Sequence, residues 1–196
     1  MNTIDFFLLH HNRVYFESSG ILNRIDKINN EQLRMCKYNL NSIAWILWHL
    51  ARCEDFVINR IIFDSQQVLD IDNYTTKLNV SRRDIGTSMT YNEVFELSNR
   101  IDLDFLREYN ITVATKTQEV IQHLIPKELD VIPEHKHLKK LLFNEGALNK
   151  KSEWVAEHYS NKTRGWFLGH LALTHPRGHL GQIILLRKLM RLGTGE

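Results

Sequence analysis

Residues 42–63 read SIAWILWHLARCEDFVINRIIF, and this stretch decides the fold class. Asn41 or Ser42 can cap it by accepting a bond from a backbone N–H that has no partner inside the helix. Its apolar residues cover a wide arc at helical spacing, as in an inner helix of a bundle. His49 shares a face with Ile46, Cys53 and Phe56, so the count turns its imidazole inward.

Outward from this segment, helical periods dominate. Prolines occur only at 126, 133 and 176, which leaves long stretches free to be helical. From Thr3 to about Ile28, Ile4, Phe7, Leu8, Val14, Ile21, Leu22 and Ile25 recur at a spacing that predicts one helix. Residues 29–41, NNEQLRMCKYNLN, read as a loop. Residues 64–89 read as an extended connection, longer than usual and so a candidate for function. Thr90 and Glu93 form a capping box, and a third helix then runs from Val94 to Leu124, where Pro126 punctuates it. Residues 127–160 hold short helical pieces at HLKKLLF and SEWVAEHY, and a last helix extends from about Thr163 to Met190. Four long amphipathic helices without a competing strand predict an all-α four-helix bundle with a long crossover, as one domain over residues 1–196.

Composition narrows the functions. With 43% hydrophobic residues in 196, a sizeable core is within reach. A net charge of +2 without a Lys/Arg-rich run argues against nucleic acid. No apolar run approaches the roughly 18 residues of a membrane span. The start, MNTIDFFLLHHNRVYF, lacks the pattern of a signal peptide. Cys36 and Cys53 form no CxxC pair and are expected to be reduced and buried, which points to a cytoplasmic protein.

The chemistry lies in residues 174–182, THPRGHLGQ. His175 and His179 stand four apart, one above the other on a helix face that also carries Leu168, Leu171, Ala172, Ile183, Leu186 and Met190. His170 lies well round that helix from both. Together with His49 they bring three imidazoles toward one core, where each would cost desolvation energy without a partner. Three histidines with an open position describe a catalytic metal site, and imidazole suits zinc, nickel, copper or iron. The plainer reading is three histidines making core hydrogen bonds. Pro176 directly follows His175, which either kinks the helix or starts a new turn there.

Other residues invite roles. Glu54 and Asp55 can orient a ligand histidine or pair with Arg52, a solvated or salt-bridged face being the commoner reading. Arg52, Arg164 and Arg177 can each hold a carboxylate bidentately, and Arg177 lies nearest the site in sequence. Gln182, one turn past His179, is a candidate hydrogen-bond partner. His11 sits on an apolar face, as a core histidine or as a neighbour of the metal. His135 and His137 are expected to be solvated, and Trp45, Trp48, Trp154 and Trp166 to pack, with a pocket wall the other role for one of them.

SIAWILWHLARCEDFVINRI with THPRGHLGQ, and between and around them QVLD, RRDIGTSMT and TRGW, resembles the DinB superfamily, also called DinB/YfiT-like metalloenzymes. The likeness covers nearly the whole chain. It implies a four-helix bundle of DinB/YfiT type with a divalent metal, zinc or nickel, held by His49, His175 and His179. It also implies activity on low-molecular-weight thiols, as in bacillithiol S-transferases and mycothiol-dependent isomerases, and pairing as a homodimer. The expectation is therefore a metal-dependent thiol S-transferase or isomerase taking a small thiol such as bacillithiol and an electrophile, with Arg177 as a candidate anchor for the thiol. The alternatives are a non-catalytic metal-binding bundle acting in stress response and a bundle without metal.

Overall fold

The computed structural model describes residues 1–195, which are all-helical with no strand among them. The first helix, α1 (Thr3–Tyr15), is capped by Asn2, whose side chain accepts the N–H of Asp5. It ends sooner than its apolar period suggests. The chain turns through 16–20 and resumes as α2 (Ile21–Ile25), with Gly20 as its N-cap. Gly20 lies so close to the end of α1 that a Cβ there would meet the Tyr15 carbonyl carbon at 2.8 Å. The expected single helix over 3–28 is thus two helices in a shared apolar phase.

Residues 29–41 hold a short helix as well as loop. In α3 (Asn30–Arg34), Asn29 and Gln32 exchange side-chain and backbone bonds as a capping box. Next comes α4 (Ile43–Phe56), capped by Ser42 as the sequence suggests, with the Trp45 N–H at 2.9 Å from the hydroxyl. The helix continues through wider, π-type turns over Val57–Ile62. Every residue of α4 is buried, so it is the innermost element. Apolar side chains such as Ile46, Leu47 and Leu50 each contribute about 1.5–3 kcal/mol by leaving water.

The connection at 64–89 contains two single-turn helices, α5 (Val68–Ile71) and α6 (Tyr74–Lys77). A distant residue organises it. The Asp55 carboxylate on α4 accepts the backbone N–H groups of Val68 and Leu69 at 2.8 and 2.9 Å.

The expected third helix is also two. Thr90 and Glu93 cap α7 (Tyr91–Arg100) as expected, but the chain leaves helical geometry at Ile101. Asp102 caps α8 (Leu103–Ile121) by accepting from Asp104 and Phe105. Ile101 and Leu103 are both buried at the corner, which keeps the apolar period running across the break.

After a 3-10 turn at Pro126–Asp130, the short pieces are α9 (His135–Lys139), continued by a π-type turn over Lys140–Asn144, and α10 (Glu153–Tyr159). The last helix begins at the Thr163 cap as α11 (Arg164–Gly169). It passes through a π-type segment over His170–Thr174 and ends as α12 (His175–Leu189).

Helix α8 packs along α4, α12 lies against α4, and α1 packs on α8 and on the 170–174 segment. The buried apolar residues form two clusters. One centres on the first half of α4 with α8, and the other on its second half with α11 and the 170–174 segment. Among the described residues no helix is long and apolar enough to cross a membrane. Both cysteines are free, Cys53 buried and Cys36 only half-buried.

Candidate metal centre

Two helices deliver the three histidines. His49 comes from the middle of α4, and His175 and His179 from the first turns of α12. One ring nitrogen from each lies within 4.8 Å of the others. His175 Nε2 stands 3.2 Å from His49 Nε2 and 3.1 Å from His179 Nε2. Tetrahedral bonds of zinc to imidazole place two ligand nitrogens about 3.3 Å apart, so both spacings fit one cation.

Two of the rings are set by their outer nitrogens. His49 Nδ1 donates to the carbonyl oxygen of Ile85, and His179 Nδ1 donates to Gln182 Oε1 at 2.8 Å. Both rings therefore carry their proton on the outside and turn a lone pair inward. His175 Nδ1 has no hydrogen-bond partner among the described residues. Burial lowers the His49 imidazole to about 3, aided by the charge of His179 and partly offset by the Ile85 carbonyl. Burial, then the charges of His49, His179 and His170, lower His175 to about 2. His179 is lowered by burial against a raising bond from Gln182. Neutral imidazoles that converge through their ring nitrogens are a donor set that could hold a divalent cation.

Pro176 does not spoil this geometry. His175 keeps α-helical angles (φ −63°, ψ −49°), and the preceding turn widens instead. The His175 N–H bonds to the His170 carbonyl five residues back. A proline lacks the N–H for the bond four residues back and crowds that carbonyl, here Ala172, and a wider turn accommodates both facts.

The widening moves His170. In an ideal α-helix, residues five apart are roughly 140° round from each other. Here the His170 and His175 ring centroids are 6.2 Å apart, and His170 lines the same cavity. The expectation that His170 points elsewhere is corrected, and the sequence signal for it was Pro176. Trp166 stacks on His170 at 4.6 Å between centroids, and the His158 ring lies 6.2 Å beyond.

That cavity, about 390 Å³, opens onto His49 and His175. Trp45, Cys53, Met89, Trp154 and Tyr159 supply much of its wall. Trp45 stacks on His49 with centroids 4.7 Å apart. Burial pushes the Cys53 thiol well above its usual range, so it stays protonated beside His49.

The remaining candidates fall into separate places. His11 Nε2 pairs with Glu54 Oε1 at 2.9 Å inside the helices, as a core histidine. Asp55 pairs with Arg52 at 3.2 Å and accepts the Tyr109 hydroxyl at 2.6 Å. Neither acid orients a ligand histidine. Arg177 is exposed on α12 and, like Arg52 and Arg164, is absent from the cavity lining. His135 and His137 line surface hollows beside α9. Trp48 is fully buried packing, whereas Trp45 and Trp154 are pocket walls.

The family model of the DinB superfamily matches residues 20–183 of this chain. Among curated proteins none matches it.

Proposed function

The chain belongs to the DinB superfamily, and from that membership and its facing imidazoles we propose a metal-dependent enzyme that activates a low-molecular-weight thiol for S-transfer or isomerisation. One observation carries the reading. The cavity opens directly onto His49 and His175, leaving room for a small molecule beside the ligand nitrogens. Histidines kept only for core hydrogen bonds need no such room.

In this reading His49, His175 and His179 hold zinc or nickel. A divalent cation there supplies the charge that favours a thiolate over a thiol near neutral pH. The chain supplies the rest. Ile85 and Gln182 keep two rings aimed at one point, and the aromatic walls hold the thiol and its electrophile together away from bulk water. Bacillithiol comes from the resemblance alone, and the carboxylate anchor expected for it at Arg177 has no support in the lining.

The same reading takes residues 1–196 as one domain, a four-helix bundle of DinB/YfiT type with long crossovers in which α1, α4, α8 and the 164–189 helix are the long members. A cytoplasmic setting is supported by the two free cysteines. Homodimer formation is supported by Leu185 and Leu189, exposed one turn apart on α12.

Metal analysis of untagged protein tests the proposal, against a His49→Ala/His175→Ala/His179→Ala variant. A single equivalent of zinc or nickel, lost in the variant, is the expected result. No metal after incubation with either ion would overturn it. Tight metal binding without any thiol binding would favour the non-catalytic stress-response bundle.

A further inference from the structure

We infer that the cavity beside the three histidines is built for an uncharged molecule with an aromatic or apolar body, so that the thiol it takes is a neutral one; this rests on the metal–thiol reading of the site. The first observation is the lining. Its polar members are neutral side chains such as Asn41, Thr87 and Ser88, together with histidines, and no Lys, Arg, Asp or Glu lines it among the described residues.

Charge is available nearby but is spent elsewhere. Arg52 lies three residues beyond His49, yet its guanidinium donates to Asp55, Tyr109, Gln67 and the Arg83 carbonyl. Arg82 pairs with Asp84 and Glu93, and Arg83 pairs with Asp70. A carboxylate entering the cavity would lose hydration without gaining a counter-charge.

The second observation is the aromatic wall. Trp154 is 59% exposed, so the core does not account for it, and it lines this cavity. Trp45 and Tyr159 line it as well, and Trp45 Nε1–H donates to the Met89 sulfur at 3.2 Å. Flat aromatic faces with a flexible methionine suit a planar or apolar ligand body. A volume of about 390 Å³ is at the small end for ligand sites.

The test compares phenylmethanethiol with mercaptosuccinate on the cobalt(II)-loaded full chain, reading the sulfur-to-cobalt absorption. Phenylmethanethiol is expected to bind roughly tenfold or more tightly. Trp154→Ala should weaken it about three- to tenfold, with a melting curve to show that the variant folds. Thr87→Arg, which adds a cation to the lining, should shift the preference toward mercaptosuccinate. Equal or tighter binding of mercaptosuccinate by the unmodified chain overturns the inference and leaves the metal–thiol reading standing. If neither thiol changes the spectrum, that reading fails, and phenylmethanol and malate put the question to the cavity through the melting temperature. A rise with phenylmethanol alone supports an uncharged occupant. A rise with malate, or with neither, overturns it.

Discussion

His175 donates its backbone N–H to the carbonyl of His170, five residues earlier. This one wide turn lets a proline follow a ligand histidine without bending the chain away from the site. It also swings His170 into the cavity that His175 borders. Wide turns of this kind recur at functional sites because they re-aim side chains that an unbroken α-helix would scatter.

Gln182 should matter for the metal and little for the fold. It is exposed, and its side-chain oxygen orients His179. Replacing it by Leu is expected to weaken zinc binding about 10- to 100-fold, with an unchanged melting temperature of the metal-free protein. A chelator competition measures the first and a melting curve the second.

Gly86 holds a backbone that other residues adopt only under strain. Its φ is +82°, and a Cβ there would lie 2.6 Å from the Trp48 ring. Gly86→Ala should cost about 1–3 kcal/mol, read by urea denaturation. Because Ile85 next to it orients His49, the variant should also bind zinc less tightly than the unmodified chain.

Asp55 joins α4 to the connection. Besides Arg52 and Tyr109 it accepts from Asn59, Val68 and Leu69. Asp55→Ala leaves the buried Arg52 guanidinium without its carboxylate and should destabilise by about 3–5 kcal/mol. Denaturant unfolding of the metal-free protein checks this.

Glu93 makes a small, pH-dependent contribution. The Thr90 backbone N–H first, then Arg82 and the Thr90 hydroxyl, lower its carboxyl from 4.5 to about 2. A carboxyl lowered on folding stabilises above its unfolded value, and that stability is lost as the pH falls from 4.5 toward 2. The group is solvated, so the effect is at most about 1 kcal/mol. Unmodified chain and Glu93→Gln should differ in stability above pH 5 or so and converge near pH 2, in denaturation curves measured across that range.

The sequence by itself determined the helical class and much of the site. Apolar periods mark the long helices, and Ser42 and Thr90 cap the helices that follow them, because a cap needs only a side chain and the N–H groups just beyond it. The spacing of His175 and His179, the inward face of His49 and the place of Gln182 are legible for the same reason, since the residues involved lie within a turn or two of one helix. Breaks at 16–20 and 101–102 escaped, because apolar phase runs through both and the periodic pattern does not register the change of direction. Only the tertiary structure decided that Ile85 orients His49, that Asp55 caps α5, that Glu54 pairs with His11, and that His170 joins the cavity. Each depends on backbone brought in from far along the chain or on one extra residue in a turn, and a local period reports neither.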